Sequence, residues 1–134
     1  MNLSCFLQQN AIPVSNVNFQ ASKRFLDDEK NPVMWEIKAI NSSADEEIRR
    51  SCTKRGASSA ELDYSMYMGK LAARCTIFPN LSDAALQDSY GVLGDDNLLK
   101  AMLSPGEYSD YIAKVQRING FDVDFSEKVK IAKN

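Results

Sequence analysis

A chain of 134 residues that is 44% apolar and 25% charged, with six Gly and four Pro, has the balance of an ordinary globular protein and lies far from disordered, collagenous or membrane-spanning compositions. At this length one core can bury roughly 68% of the unfolded surface, so residues 1–134 read as a single domain. A net charge of −2 and a pI near 5.1 argue against a general nucleic-acid or anionic-membrane surface, which needs a basic excess on at least one face.

Leu3, Phe6 and Leu7 fall at i, i+3 and i+4, which predicts a short helix with one apolar side ending before Pro13; residues 1–12 read as a docking arm. From Val17 the period changes to two. Val17, Phe19 and Ala21 alternate with polar residues through KRF, polar DDEKNP follows, and Val33, Trp35, Ile37 and Ala39 alternate again, giving an antiparallel hairpin over 14–41. An isolated hairpin is marginal in water, so its apolar face needs helices from residues 42–134 to cover it.

Ser43 with Glu46 fits a capping box and predicts a helix to about Arg55 with a thin apolar line, Ala44, Ile48 and Cys52. The Ser-rich GASSAE reads as a connector. Asp63 caps the next helix, which ends before Pro79 and carries two apolar stripes: Leu62, Met66, Gly69, Ala73, Ile77 and Tyr64, Tyr67, Leu71, Cys75, Phe78. It is the candidate central helix. Ser82 and Asp83 open a short helix to about Tyr90, and DDNLLKAML starts another with acids in its first turn.

SPGE at Ser104 is the strongest local signal: a cap serine, proline at the first helical position and glutamate three after the cap. That helix carries Tyr108, Tyr111, Ile112, Val115 and Ile118 and stops at Gly120. A last amphipathic helix is predicted, capped by Asp124 with Glu127 and aligning Phe125, Val129 and Ala132. The fold class expected is α+β, an N-terminal antiparallel hairpin packed on an array of about five or six helices.

The chain contains no histidine, which removes Ser-His and Cys-His dyads, imidazole metal ligands and any side chain that ordinarily titrates near neutrality. Cys5, Cys52 and Cys75 are odd in number and widely spaced, so free and mostly buried thiols are expected. MNLSCFLQQ lacks a basic lead-in and a sufficient apolar run for a signal peptide, and no stretch approaches membrane-spanning length; a cytosolic protein is expected.

LQDSYGVLG, Leu86 to Gly94, sets two glycines three apart but lacks the lysine and Ser/Thr of a phosphate loop. Its simpler reading is that Gly91 and Gly94 end one helix and admit the next, with Val92 and Leu93 tucked inward. Arg49, Arg50, Lys54 and Arg55 read as a solvated basic face before they read as a phosphate or partner grip. Asp27/Asp28, Asp95/Asp96 and Asp122/Asp124 lie in turns or first helical turns, where acids are locally favoured. Tyr64, Tyr67, Tyr108 and Tyr111 at helical spacing read as core edge. No catalytic, cofactor or metal site is assigned.

SKRF at Ser22, PVMWEIKAI at Pro32, RRSCTKR at Arg49, LQDSYGVLG, KAML through SPGEY, and KVQRINGFDVDF at Lys114 form an ordered series across nearly the whole chain. In that series the chain resembles the XkdN-like tail assembly chaperones of PBSX-type prophages and related long-tailed phages of Gram-positive bacteria. The resemblance implies no enzyme. It implies a chaperone that binds the phage tape-measure protein non-covalently and keeps it soluble until tail-tube subunits polymerise around it, in the host bacterial cytoplasm and absent from the mature virion.

Further partners suggested by the resemblance are the tail-tube protein and a longer form of the same chain made by ribosomal slippage; Ala132-Lys133-Asn134 can be encoded with a run suited to a backward slip. Neither nucleic acid nor membrane is expected as a partner. The partner groove is expected on the helices from Ser82 to Met102, with Leu86, Tyr90, Leu93, Leu98 and Leu99 as its apolar lining and Asp88, Asp95 and Asp96 as an acidic rim. The rival from another class is a structural tail component, a tube or baseplate accessory subunit.

Overall fold

The period-two stretch forms the expected hairpin in the computed structural model, which describes residues 2–56 and 59–121. Strands β1 (Val17–Phe19) and β2 (Trp35–Ile37) pair antiparallel, placing Phe19 opposite Trp35 and Val17 opposite Ile37. The turn in the polar stretch is set by Asp27, whose carboxylate accepts from the amides of Glu29 and Asn31, both at 2.9 Å, while Lys30 takes a φ of 68°.

The strands are shorter than the alternation predicts. Beyond Phe19 the chain turns Ala21 and Ser22 into the core, and Arg24 then reaches across to Glu107 at 2.6 Å and to the Met102 carbonyl at 2.7 Å.

Helix α1 (Ser42–Ser51) is capped by Asn41, whose side chain accepts from the Ala44 amide at 2.9 Å, so the expected Ser43–Glu46 capping box is not what opens it. It also ends before Arg55. Strand β3 (Thr53–Arg55) pairs antiparallel with β4 (Ala60–Leu62), and the residues read as a helix end and a Ser-rich connector are therefore a second small hairpin. The thin apolar line was correctly aimed, since Ile48 and Cys52 are buried.

Helix α2 (Tyr64–Cys75) is capped by Asp63, accepting from the Met66 amide at 3.1 Å, and is the most buried helix described, with Tyr67, Met68, Leu71, Ala72, Ala73 and Cys75 all inside. The helix stops before Ile77. β5 (Thr76–Phe78) leaves it to pair with the free edge of β2, making a sheet in the order β1-β2-β5. Ile77 and Phe78, expected on the buried stripes, are consequently exposed at the sheet edge, as are Tyr64 and Met66 on the outer side of α2.

Three more helices complete the described array: α3 (Ala84–Ser89), α4 (Asp95–Met102) and α5 (Pro105–Ile118). The capping box at α5 forms as expected, Glu107 N–H donating to Ser104 Oγ at 3.4 Å and Ser104 N–H donating to Glu107 Oε1 at 2.8 Å. The helix predicted from Asp124 lies outside the described residues.

The covered face of the sheet meets the helices through aromatic rings. Trp35 and Tyr111 stack edge-on at 5.3 Å between centroids, with Phe19 6.1 Å from Tyr111 and Phe25 6.1 Å from Trp35. Tyr111 is buried down to its hydroxyl, which meets Thr76 Oγ1 at 2.6 Å, and burial pushes its phenol far above the ordinary value. The result is the α+β architecture expected, with the hairpin lying on a helical array.

The N-terminal segment differs from expectation. Ser4–Phe6 form a single 3-10 turn, a further turn follows in which the Asn10 and Ala11 amides donate to Leu7 O, and Leu3, Phe6 and Leu7 remain exposed.

Candidate partner-binding surface

The segment from Ser82 to Met102 is shaped by local hydrogen bonds. Asp83 caps α3 by accepting from the Leu86 amide at 2.8 Å. Helix α3 then ends in a Schellman motif: the Gly91 amide donates to Asp88 O at 3.0 Å and the Val92 amide to Gln87 O at 3.2 Å, with Gly91 at φ 65°. Gln87 ties the turn on both sides, donating to Leu81 O at 2.8 Å and accepting from the Gly94 amide at 3.1 Å. Gly94, at φ 101°, leads directly into α4.

LQDSYGVLG is therefore helix punctuation, as its simpler reading held. One part of that reading is corrected: Val92 packs against the core, but Leu93 is 86% exposed. With the turn stapled by Gln87 and closed by Gly91, the residue between Val92 and Gly94 has only the outward side left.

The eight residues expected to form the groove divide into three groups. Leu98 and Leu99 are 0% exposed and lock α4 into the core, so they are hidden from any partner in this conformation. Asp95 and Asp96 turn toward α1 and α2: Asp96 sits 3.8 Å from Lys70 Nζ, and Asp95 lines a hollow of about 280 Å³ with Glu47, Ile48, Ser51, Lys70 and Arg74. Asp88, Tyr90 and Leu93 are exposed on the outer side, and Leu86 at the edge of that patch is half-buried, packing partly against the core. What the segment offers outward is this smaller patch, an apolar surface with one carboxylate and without the facing Leu98/Leu99 wall.

A second hollow, of about 440 Å³, runs between α2 and α5, bounded by Tyr64, Ser65 and Met68 on one side and Tyr108, Ile112 and Gln116 on the other. Gln116 Nε2 donates to Tyr64 Oη at 3.1 Å across one end. The tyrosines at helical spacing held the available signal: Tyr67 and Tyr111 are core, whereas Tyr64 and Tyr108 stand at the rim where the two helices part. Spacing alone could not show that these rims face one another.

The basic stretch also divides. Arg49 lies over the Tyr67 ring at 4.4 Å and donates to Asp45 at 2.8 Å, and Asp45 accepts from the Tyr67 hydroxyl, so this arginine belongs to a staple between α1 and α2. Burial first, and the hydrogen bond to Asp45 second, push the Tyr67 phenol up to about 12. Arg50 and Arg55 flank a separate hollow of about 260 Å³ beside the β3–β4 hairpin.

Among the described residues no three His, Cys, Asp or Glu side chains gather as a metal would require, and no helix is long and apolar enough to cross a membrane. Cys52 and Cys75 are buried thiols and Cys5 an exposed one.

Set beside known proteins, residues 3–133 match the family described as phage XkdN-like tail assembly chaperone protein. The chain is 32% identical over 139 residues to the uncharacterized protein YqbN of Bacillus subtilis, spanning 99% of this chain and 93% of that protein. It is 27% identical over 139 residues to the phage-like element PBSX protein XkdN of the same organism, spanning 99% and 94%. In three dimensions it is similar to the crystal structure of the protein YqbN, with a TM-score of 0.82 at 31% identity over 91% of this chain and 98% of that one.

Proposed function

Because this chain belongs to the family of phage XkdN-like tail assembly chaperones, we propose that it binds the tape-measure protein non-covalently and keeps it soluble until the tail tube assembles around it. The observation that carries this reading is the match of residues 3–133 to the family, which takes in every element of the fold. The physical task is reversible cover. A long helical protein with apolar stripes self-associates unless the stripes are masked, and a helix-binding surface of moderate affinity masks them without trapping the partner.

The contact surface proposed is the outer patch of Leu86, Asp88, Tyr90 and Leu93. Leu93 is the anchor: a large apolar side chain held outward by a turn whose geometry is fixed on both sides. The work involves no bond-making, takes place in the host cytoplasm and leaves the chain outside the finished particle. If a longer slippage product exists, it carries the same domain with added C-terminal residues, and the nucleotide sequence from the Ala132 codon onward decides that by the presence or lack of a slippery run and of a downstream open frame in the minus-one register.

The test is co-expression with the tape-measure open reading frame. The tape-measure protein is expected in the soluble fraction only when this chain is present, in a complex that persists through size exclusion. A tape-measure protein whose solubility ignores this chain overturns the reading. Proteomics of purified particles separates it from the rival, because a structural tail component would be found there and a chaperone would not.

A further inference from the structure

We propose that the N-terminal arm of one copy seats in the α2/α5 groove of a second copy, in a reciprocal exchange that closes a dimer. The arm is conspicuous for what it exposes. Phe6 is 72% and Ile12 96% exposed, and Leu3, Leu7 and Val14 also stand in water, within a segment whose hydrogen bonds close on itself: Phe6 N–H to Leu3 O at 3.0 Å, Asn10 N–H to Leu7 O at 2.9 Å and Asn10 Nδ2 to Ser4 O at 2.7 Å. Among the described residues its first side-chain bond to the body is Asn16 Nδ2 to Glu36 Oε2 at 3.1 Å, immediately before β1. So concentrated an apolar exposure on a short tether is a docking element without a dock.

Charge selects the occupant. A quarter of the chain is charged, yet residues 2–22 contain no Asp, Glu, Lys or Arg. The α2/α5 groove is matched to that: Met68 and Ile112 give it apolar surface, Ser65, Gln116 and Tyr64 give it neutral hydrogen-bonding groups, and among the described residues no charged side chain lines it. The other two sizeable hollows are lined in part by Lys70, Arg74, Glu47 and Asp95 or by Arg50 and Arg55. An uncharged arm rich in Asn and Gln can enter the neutral groove without stripping water from any ion, whereas either charged hollow would cost desolvation that the arm has no charge to offset.

The groove volume of about 440 Å³ lies in the range that accommodates a few side chains, and the tether from Leu3 to Val17 can span up to roughly 45 Å when extended. Among the described residues of one copy the arm keeps its apolar side chains in water and none of its residues lines the groove. Exchange between two copies covers both surfaces twice and leaves no unmatched end, which an open head-to-tail arrangement would.

Cys5 is the exposed thiol of the arm, while Cys52 and Cys75 are buried, so the contact can be read by cross-linking the full chain. One copy keeps Cys5; the other carries Cys5→Ser with Ser109→Cys at the groove rim and a size tag, and a short bismaleimide joins them. A mixed cross-linked pair is expected, together with a concentration-dependent dimer in sedimentation that Phe6→Glu weakens at least about tenfold while leaving the melting temperature of the dilute, monomeric chain unchanged. Three results overturn the proposal: a concentration-independent monomer, a dimer indifferent to Phe6→Glu, or a chain holding both Cys5 and Ser109→Cys that cross-links only within itself.

Discussion

Helix α4 and the turn before it spend the same kind of residue in opposite ways. Leu98 and Leu99 disappear into the core against α2, whereas Leu93, a few residues earlier, is 86% exposed on a turn that Gln87 and Gly91 hold rigid. The first pair serves stability and the second residue is available to a partner. Apolar content by itself does not mark a binding surface; the marks are an apolar side chain with no inward direction left and a backbone that keeps it there.

The strongest break in this comparison should come from the buried side. Trp35→Ala removes the ring that meets Tyr111 and Phe25 and is expected to cost about 3–5 kcal/mol, read as a lowered urea midpoint, a large share of the about 5–15 kcal/mol by which an ordinary domain is stable. Leu98→Ala follows at about 2–5 kcal/mol. Loss of stability with either change should carry partner binding down with it, because the fold itself is failing.

Smaller effects should come from the helix ends. Ser104→Ala deletes the acceptor of the capping box and is expected to cost about 1 kcal/mol in the same titration. Gly91→Ala places a Cβ at φ 65° and should cost roughly 1–2 kcal/mol, and it has a second consequence: a loosened turn frees Leu93, so partner affinity should fall more than stability.

Glu107 supplies a pH signature for the Arg24–Glu107 ion pair. Its hydrogen bond from Arg24, then that from the Ser104 amide, hold its carboxyl at about 2, below its ordinary value of 4.5. A folded-state value lowered in this way contributes stability that is fully present above the unfolded value and is lost as pH falls from about 4.5 toward about 2. Melting curves across that window should show a steeper decline for the native chain than for Glu107→Gln.

Much of the fold was legible because its signals are local. Asp63, Asp83 and the Ser104–Glu107 pair each lie three residues before the amide or acceptor they serve, so the sequence carries the whole geometry. Asn41, Ser42 and Ser43 are all capable caps in a row, and which one takes the role depends on how the chain leaves β2, which no local pattern records. The β3–β4 hairpin escaped because Lys54, Arg55 and Glu61 face water and show no apolar alternation.

β5 escaped for a different reason. Ile77 and Phe78 continue the apolar spacing of α2, and only the free edge of β2 turns Thr76–Phe78 into a strand. The expected groove was legible in composition but not in direction, since Leu98 and Leu99 could face α2 or a partner equally well until α4 was placed.

The smallest expected effect on stability belongs to Leu93→Arg, within about 0.5 kcal/mol because the side chain makes no core contact. That makes it the most direct measurement of whether this domain serves tail assembly by lending an outer apolar surface to a longer protein. Native chain and Leu93→Arg, matched in melting temperature, are each co-expressed with the tape-measure protein and compared for its capture into a soluble complex. Capture weakened at least about tenfold by the single change is the expected result; equal capture by the two would contradict it.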